Sequence, residues 1–240
     1  MVISPPNLPF VLVLSAPSGV GKTTLGHLLI HDMPRLRMGV TYTTRPQRDC
    51  ERQGIDYHFV SKEGFEERIR KGHFLECSQI YGHWYGTDLT GMQESLCQGD
   101  DVVLILDVRG AMQLKQRWRH GVFVFLLPPS MEELKARLMR RRTDTPDQIM
   151  QRLQCAQSEI SFGLRHFDYV VVNARLNEAL EDLKAIVRSH RLKRQDRMMW
   201  QESLLDQRGG QTHTRFESKG SASDGKLEPE FTDKNDSIIS

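Results

Sequence analysis

The chain has 240 residues, of which 38% are hydrophobic, and its formal net charge is +2 at pH 7. This length is enough for one substantial α/β domain, the small charge does not suggest a nucleic-acid-binding protein, and no apolar run is long enough to span a membrane. The cysteines are scattered without metal-ligand spacing, which is typical of reduced thiols in a cytoplasmic protein; they are Cys50, Cys77, Cys97 and Cys155.

The first predicted strand, over 10–14, leads into a turn that contains two glycines. The turn reads Ser-Ala-Pro-Ser-Gly-Val-Gly-Lys-Thr over 15–23, and leucines at helical spacing predict a helix over 23–33. Strand, glycine-containing turn, Lys-Thr and helix are the context of a phosphate-binding loop. In such a loop the backbone N–H groups hold phosphate oxygens, Lys22 reaches the β- and γ-phosphates, and the Thr23 hydroxyl binds Mg²⁺.

The residues of this turn are therefore predicted to bind a nucleotide. The candidates are Ala16, Pro17, Ser18, Gly19, Val20, Gly21, Lys22 and Thr23. Ala16 stands where such a loop usually has a glycine, and alanine fits the same backbone as long as its φ is negative.

The next segment alternates short strands with helices. The predicted elements are a strand over 38–42, a strand over 57–60, a helix over 62–71, extended chain over 74–81, a turn over 85–87 and a helix over 88–98. Ser61 and Thr87 are expected to cap the two helices.

Polar side chains in this segment suggest a second binding site. Arg45 and Arg48 lie three residues apart in an exposed loop, with Tyr57 and Tyr85 downstream. This arrangement favours a clamp for the phosphate of an acceptor. Glu76 lies in a mostly apolar segment, where its carboxylate could accept two N–H bonds from the edge of a guanine.

Continuous apolar runs over 101–107, 122–127 and 169–172 predict strands that are buried on both faces of a parallel sheet. Asp107 ends the first of these runs, and beside a phosphate-binding loop such a carboxylate would hold Mg²⁺ directly or through water. The same position also suits an aspartate that caps the following turn. Strands that alternate with helices predict a three-layer α/β domain.

Two capping boxes, Ser-Met-Glu-Glu over 130–133 and Thr-Pro-Asp-Gln over 145–148, predict the starts of two helices. Arginines are concentrated around the loop between them: Arg137, Arg140, Arg141, Arg142 and Arg152. Such a loop is typical of a mobile lid that closes over the γ-phosphate, although a solvated basic helix face is the better interpretation for Arg140.

A long amphipathic helix is predicted from residue 176 to about residue 200. The remaining segment, 206–240, is poor in apolar residues, and its composition predicts disorder.

In this order, the segments resemble the guanylate kinase family over about 10–194. The resemblance rests on the blocks 15–23, 43–46, 54–61, 74–76, 85–87, 107–110, 127–130 and 168–173. It implies transfer of the γ-phosphoryl group of MgATP to GMP, which gives ADP and GDP. It also implies a P-loop nucleoside monophosphate kinase fold over 1–205, with a parallel core sheet, a GMP-binding lobe over about 41–95 and a helical lid over about 137–153.

The same resemblance implies roles for individual residues. Those that would bind GMP are Thr41, Arg45, Arg48, Tyr57, Glu76, Tyr85, Gly86, Thr87 and Asp107. Those that would act in catalysis are Lys22, Arg45, Arg137, Arg141 and Arg152. Asn173 would lie near the adenine of ATP, and Thr23 with Asp107 would hold Mg²⁺.

The chain departs from the family pattern at several positions. Ile105 stands where the family usually has an acidic residue, Arg109 replaces a glutamine, and Arg142 replaces a glycine of the lid. Thr41 and Thr87 replace serines but keep the hydroxyl group.

Two other functions fit parts of the sequence. A related kinase, such as a ribose 1,5-bisphosphate phosphokinase, would keep Lys22 and Asp107 but has no need of one set of four residues together: Glu76, Thr87, Tyr57 and Tyr85. A catalytically impaired guanylate-kinase-like binding module typically loses the loop lysine or the lid arginines.

Overall fold

The computed structural model describes residues 9–49, 51–80, 82–118, 121–140 and 145–192. The strands are β1 (Val11–Ser15), β2 (Leu36–Met38), β3 (Thr41–Thr43), β4 (Tyr57–Phe59), β5 (Phe74–Ile80), β6 (His83–Asp88), β7 (Asp101–Leu106), β8 (Gly121–Leu127) and β9 (Tyr169–Val172). The helices are α1 (Lys22–Asp32), α2 (Lys62–Arg70), α3 (Leu89–Cys97), α4 (Val108–Arg117), α5 (Met131–Arg140), α6 (Pro146–His166) and α7 (Leu176–Arg191).

Five strands form a parallel core sheet in the order β2-β7-β1-β8-β9. The central strand β1 is fully buried, because apolar side chains from helices cover both of its faces. One face packs with α1, α5 and α7, and the other packs with α3 and α4. Complete burial of one leucine or valine side chain adds about 1.5–3 kcal/mol to the free energy of unfolding. The predicted three-layer α/β architecture is confirmed.

A second sheet, β4-β3-β6-β5, is built from residues that lie between β2 and β7 in the chain. We call the part that contains β3 to β6 and α2 the small lobe (41–88). Its own core is aromatic, because Phe65 stacks on Phe74 and Trp84 at ring-centroid distances of 4.5 and 5.9 Å. This packing holds α2 against β5 and β6.

The single strand predicted over 38–42 is wrong. The structure has two short strands there, β2 in the core sheet and β3 in the small lobe. The chain passes between the sheets at Gly39, where an added Cβ would clash with Leu104 Cδ2. A close approach that only glycine allows thus separates the two strands.

The turn and the helix cap predicted around residue 87 are also wrong. Residues 85–87 belong to β6, which pairs with β5 and β3. The cap of α3 is Asp88, whose carboxylate accepts a hydrogen bond of 2.9 Å from Gly91 N–H. Thr87 makes a different bond, to Glu76. The helix α4 was not predicted at all.

Several expectations fall outside the description. Arg141, Arg142 and the segment 206–240 lie outside the described residues. The last described helix, α7, ends at Arg191, and the predicted continuation over 193–200 also lies outside them. Among the helices that are described, none combines the length and the apolar character needed to cross a membrane.

Gly163 of α6 packs against the Phe125 ring, and a Cβ there would lie 2.6 Å from three ring carbons. Phe125 is fully buried, so it has no room to move aside. We expect Gly163→Ala to lower the free energy of unfolding by about 1–3 kcal/mol, because overpacking outweighs the better helix propensity of alanine. Urea unfolding monitored by circular dichroism measures the change.

The matched control is Gly64→Ala in α2, where the added Cβ meets only Ser61 Oγ at 3.5 Å. This variant should be neutral or more stable by up to about 1 kcal/mol. Equal effects of the two alanines would contradict the packing argument.

Candidate active site

The turn between β1 and α1 has the backbone of a phosphate-binding loop. Gly19 and Gly21 have φ angles of 94° and 107°, and Gly21 is the N-cap residue of α1. A Cβ would lie 2.9 Å from Leu138 Cδ2 at Gly19 and 2.7 Å from Asn173 Nδ2 at Gly21. Both glycines are therefore required by conformation and by space. Ala16 has no positive φ, which is the condition that its substitution for glycine needs.

Side chains from α5 and from the end of β9 form hydrogen bonds that hold this loop in place. Asn173 Nδ2 donates to the Val20 carbonyl at 2.7 Å, and Asn173 is only 5% exposed. Arg137 donates from Nη2 to the Asn173 carbonyl at 3.0 Å and from Nε to Glu133 at 2.9 Å. The structure thus places Asn173 and Arg137 as braces of the loop. Their implied contacts with adenine and with the phosphoryl group stay predictions.

Lys22 and Arg152 lie on the cleft side of the loop. The Lys22 ammonium donates to the carbonyls of Ala16 and Pro17. Arg152 of α6 reaches across to the loop, where its Nη1 lies 2.6 Å from Ser18 Oγ. Two cationic groups from different helices therefore meet where phosphate oxygens would lie.

The predicted acceptor-phosphate residues come together at the small-lobe side of the same cleft. Arg45 donates from Nε to the Tyr85 hydroxyl at 3.3 Å, and its guanidinium lies 5.5 Å from the centre of the Tyr57 ring. Burial raises the pKa of the Tyr57 phenol, so the hydroxyl stays neutral and able to donate. Arg48 also lines the cleft, and its side chain is 44% exposed.

Glu51 organises this cluster and was missed in the sequence analysis. Its carboxylate accepts from Arg45 Nη2 at 2.7 Å and from Arg48 N–H at 2.9 Å. The only signal available was an acidic residue close to two arginines in a loop, which is common on protein surfaces.

The predicted base-binding carboxylate is buried at the junction of the two sheets. Glu76 is 3% exposed, and Thr87 donates from Oγ1 to its Oε1 at 2.6 Å. Thr41 pairs with Thr87 across β3 and β6 and is also buried. Burial raises the pKa of Glu76 to about 7, and the nearby charge of Asp107 adds to the rise, whereas the Thr87 bond opposes it.

Gly86, between Tyr85 and Thr87, faces away from this pocket. A Cβ at Gly86 would lie 3.0 Å from the rings of Phe65 and Phe74. Its predicted part in GMP binding stays a prediction, and the structure shows that the missing side chain lets β6 pack closely against the aromatic core.

Asp107 caps α4 and lines the cleft. Its Oδ1 accepts from Gly110 N–H at 2.8 Å and from Ser78 Oγ at 3.3 Å. The capping alternative is thus realised, while the carboxylate still faces the cleft together with Thr23. One carboxylate and one hydroxyl suit Mg²⁺, which usually keeps several waters and takes its other ligands from substrate phosphates. Among the described residues, no cluster of three or more His, Cys, Asp or Glu side chains could hold a metal.

Glu159 is a second acidic residue that the sequence analysis missed. It lies on α6, is half-buried and lines the cleft. Burial raises the pKa of its carboxyl group, and the Lys22 ammonium partly offsets this rise. No local pattern marks Glu159, because only the packing of α6 brings it near the loop.

Lys22, Thr23 and Arg152 line one cavity of about 650 Å³ together with the arginine–tyrosine cluster, Glu76, Asp107 and Glu159. Its core end has the phosphate-binding loop, its small-lobe end has the arginine–tyrosine cluster, and Glu76 and Asp107 lie between them. Such an arrangement suits two phosphorylated ligands that face each other.

Comparisons with known proteins identify relatives of this chain. The family model "Guanylate kinase" matches residues 10–190. The guanylate kinase of Myxococcus xanthus is 41% identical over 193 residues, which cover 80% of this chain and 91% of the relative. That of Geobacter metallireducens is 43% identical over 179 residues, which cover 75% and 88%. The crystal structure of guanylate kinase from Anaplasma phagocytophilum matches with a TM-score of 0.67 and 31% identity, over 78% of this chain and 89% of that one.

The raised pKa of Glu76 makes stability depend on pH in a defined direction. The unfolded chain loses this proton near pH 4.5 and the folded protein only near pH 7. Between these values the unfolded state binds fewer protons, so stability falls as pH rises. Glu76→Gln has no such proton to lose. The free energy of unfolding of this variant, relative to that of the unmodified protein, should therefore be higher at about pH 8 than at about pH 5 by on the order of 3 kcal/mol. Urea unfolding at both pH values, without nucleotide, measures the gain.

Glu66→Gln is the control, because Glu66 is 49% exposed on α2. Its stability difference from the unmodified protein should be the same at both pH values. A difference for Glu76→Gln that does not change with pH would show that the carboxyl group titrates normally.

Proposed function

The chain belongs to the guanylate kinase family, and from this premise we propose how its cleft carries out the reaction. Enzymes of this family are ATP:GMP phosphotransferases, which transfer the γ-phosphoryl group of ATP to GMP. The observation that carries the assignment of residues is the buried Glu76–Thr87 pair between a phosphate-binding loop and an arginine–tyrosine cluster.

Glu76 is the group that we assign to guanine. The Watson–Crick edge of guanine presents two adjacent N–H donors, and an ionised carboxylate offers two acceptors in matching positions. Adenine presents an acceptor in place of one donor, so it would leave a buried carboxylate oxygen unpaired. The Thr87 hydroxyl holds Oε1 of Glu76 in place, and Thr41 adds a neighbouring hydroxyl.

The arginine–tyrosine cluster is assigned to the phosphate of GMP. Glu51 holds the Arg45 guanidinium before the substrate arrives, which lowers the entropic cost of binding. Arg48, Tyr57 and Tyr85 supply further donors at the same end of the cleft. The acceptor phosphate is itself the nucleophile and is largely ionised at neutral pH, so no strong general base is needed.

The loop and the cations around it are assigned to ATP. Backbone N–H groups at the start of α1 point toward the cleft and favour negative charge. Lys22 and Arg152 would neutralise the oxygens of the transferring phosphoryl group, and Arg141 would join them from the lid. Catalysis in this arrangement is positioning and electrostatic stabilisation.

Thr23 and Asp107 would hold the Mg²⁺ that accompanies ATP. When bound, such an ion would supply positive charge to the phosphate oxygens of ATP. The Asp107 carboxylate is kept in place by Ser78 and by the backbone of α4.

The two other functions account for less of the cleft. A kinase for a ribose phosphate would leave the buried Glu76–Thr87 pair without a ligand. An inactive binding module would have no need of Lys22 and Arg152 at the loop. Action in the cytoplasm, without nucleic acid or membrane partners, stays a prediction from composition.

A coupled assay of ADP release tests the function directly. With MgATP we expect turnover with GMP and little or none with AMP, CMP, UMP or ribose 1,5-bisphosphate. Lys22→Met should lower kcat at least about 100-fold, because it removes a preorganised cation at the transferring phosphoryl group. Comparable turnover with AMP and GMP would contradict the assignment of Glu76.

The matched control for charge is Lys62→Met on α2, where the lysine side chain is 68% exposed. This variant should keep the rate of the unmodified enzyme. Equal melting temperatures for both variants would show that the loss in Lys22→Met is not a loss of fold.

Glu76→Gln should affect the binding of GMP much more than the binding of ATP. An amide group offers guanine one acceptor and one donor, so it mispairs one buried N–H group. We expect KM for GMP to rise about 10- to 100-fold, and KM for ATP to change less than about two-fold. Initial rates over both substrates measure the two constants, and equal rises in them would remove Glu76 from the acceptor site.

A further inference from the structure

A contact between α1 and the small lobe lies at the edge of the cleft, because one of its two partners, Asp56, is among the residues that line the cleft. His27 lies on α1 four residues after Thr23, so both side chains are on the same face of the helix. Its Nε2 lies 3.7 Å from Asp56 Oδ1. The middle of α1 and the small lobe are thus linked by an imidazole and a carboxylate.

Asp56 is fixed within its own turn and adjoins the acceptor cluster. Its Oδ2 accepts from Arg52 N–H at 2.8 Å, and its side chain is 11% exposed. The next residue is Tyr57, whose ring lies under the Arg45 guanidinium. A change in the position of Asp56 therefore also moves Tyr57, which belongs to the groups that we assign to the GMP phosphate.

The charge of His27 decides how strong this link is. Histidine is the side chain that changes charge between about pH 5 and 8, and only its protonated form attracts a carboxylate by charge. The neighbouring elements direct their cations elsewhere: Lys184 of α7 binds Asp32 at 2.6 Å, and Arg37 of β2 binds Asp100 at 2.9 Å. Arg52, 3.9 Å from Asp56, is the other cation on this carboxylate.

We propose that His27 is a positioning residue for the acceptor nucleotide. Its protonated imidazole pairs with Asp56 and holds the small lobe against α1, so that GMP binds more tightly at low pH than it would without the pair. This inference rests on the proposed function, because it assumes that the small lobe binds GMP.

The test compares KM for GMP at about pH 6 and about pH 8.5. We expect His27→Gln to raise KM about two- to five-fold at the lower pH, the range for partly exposed ion pairs, and to have no effect at the higher pH. kcat and KM for ATP should not change. His27→Lys carries a permanent charge, so its KM at pH 8.5 should be about two- to five-fold below that of the unmodified enzyme.

Two comparisons isolate the effect of the pair. Glu76 and the phosphate of GMP also titrate in this range, but they do so in every variant, so the ratio of each variant to the unmodified enzyme removes their contribution. His31→Gln is the matched control, because His31 lies on the same helix, is 83% exposed and pairs with Asp32 of its own helix. Its KM ratio should be one at both pH values.

The outcomes distinguish a failure of the proposed role of His27 from a failure of the proposed function. If the enzyme turns over GMP and the His27→Gln ratio is the same at both pH values, or His27→Lys does not lower KM at pH 8.5, the inference is wrong and the function stands. If GMP binds without turnover, the function is wrong, and the same ratios of calorimetric dissociation constants decide on His27. If GMP does not bind, both are wrong.

Discussion

A phosphate-binding loop must direct its N–H groups into the cleft, and this leaves its carbonyls facing the protein. Carbonyls that are buried need donors, and the structure supplies them from distant parts of the chain. Asn173, after β9, bonds to the Val20 carbonyl, and Arg137 of α5 bonds to Asn173. The positions of α5 and of the edge strand β9 thus follow from the loop at the end of β1. Replacing Asn173 or Arg137 should therefore alter the conformation of the loop, although neither side chain is among the residues that line the cleft.

The second constraint is that a site for two anions must hold its cations together before the anions arrive. At the small-lobe end of the cleft, Glu51 pairs with Arg45 and orients its guanidinium group. At the loop, backbone carbonyls hold the Lys22 ammonium. The carboxylates in the cleft have a cost of their own, since burial raises the pKa of both Glu76 and Glu159. In the proposed binding mode, the two N–H donors of guanine would stabilise the charged form of Glu76, and this is the form that the proposed recognition requires.

What the sequence predicted well is local. The loop, the helix α1 and the apolar strands of the core sheet depend on neighbouring residues and on patterns of burial, and they were predicted to within a few residues. Thr87 shows where such reasoning ends: its spacing suited a helix cap, but Glu76, its partner across the hairpin, took the hydroxyl and Asp88 became the cap. Periodicity also carried no information on whether Arg137 faces the cleft or the back of the loop. Glu51 and Glu159 were missed because only long-range packing brings them to the cations.

Position 105 shows how these constraints act together. Ile105 lies in β7 against Gly26 of α1, where a Cβ would approach its Cδ1 to 2.9 Å, and it is also half-buried in the lining of the cleft. The charge of Asp107 already raises the pKa of Glu76 and of Glu159. A further carboxylate two residues from Asp107 would add to this repulsion and would also need a partner at a close-packed contact. The isoleucine avoids both of these costs, while Asp107, held by Ser78 and the backbone of α4, lines the cleft together with Thr23.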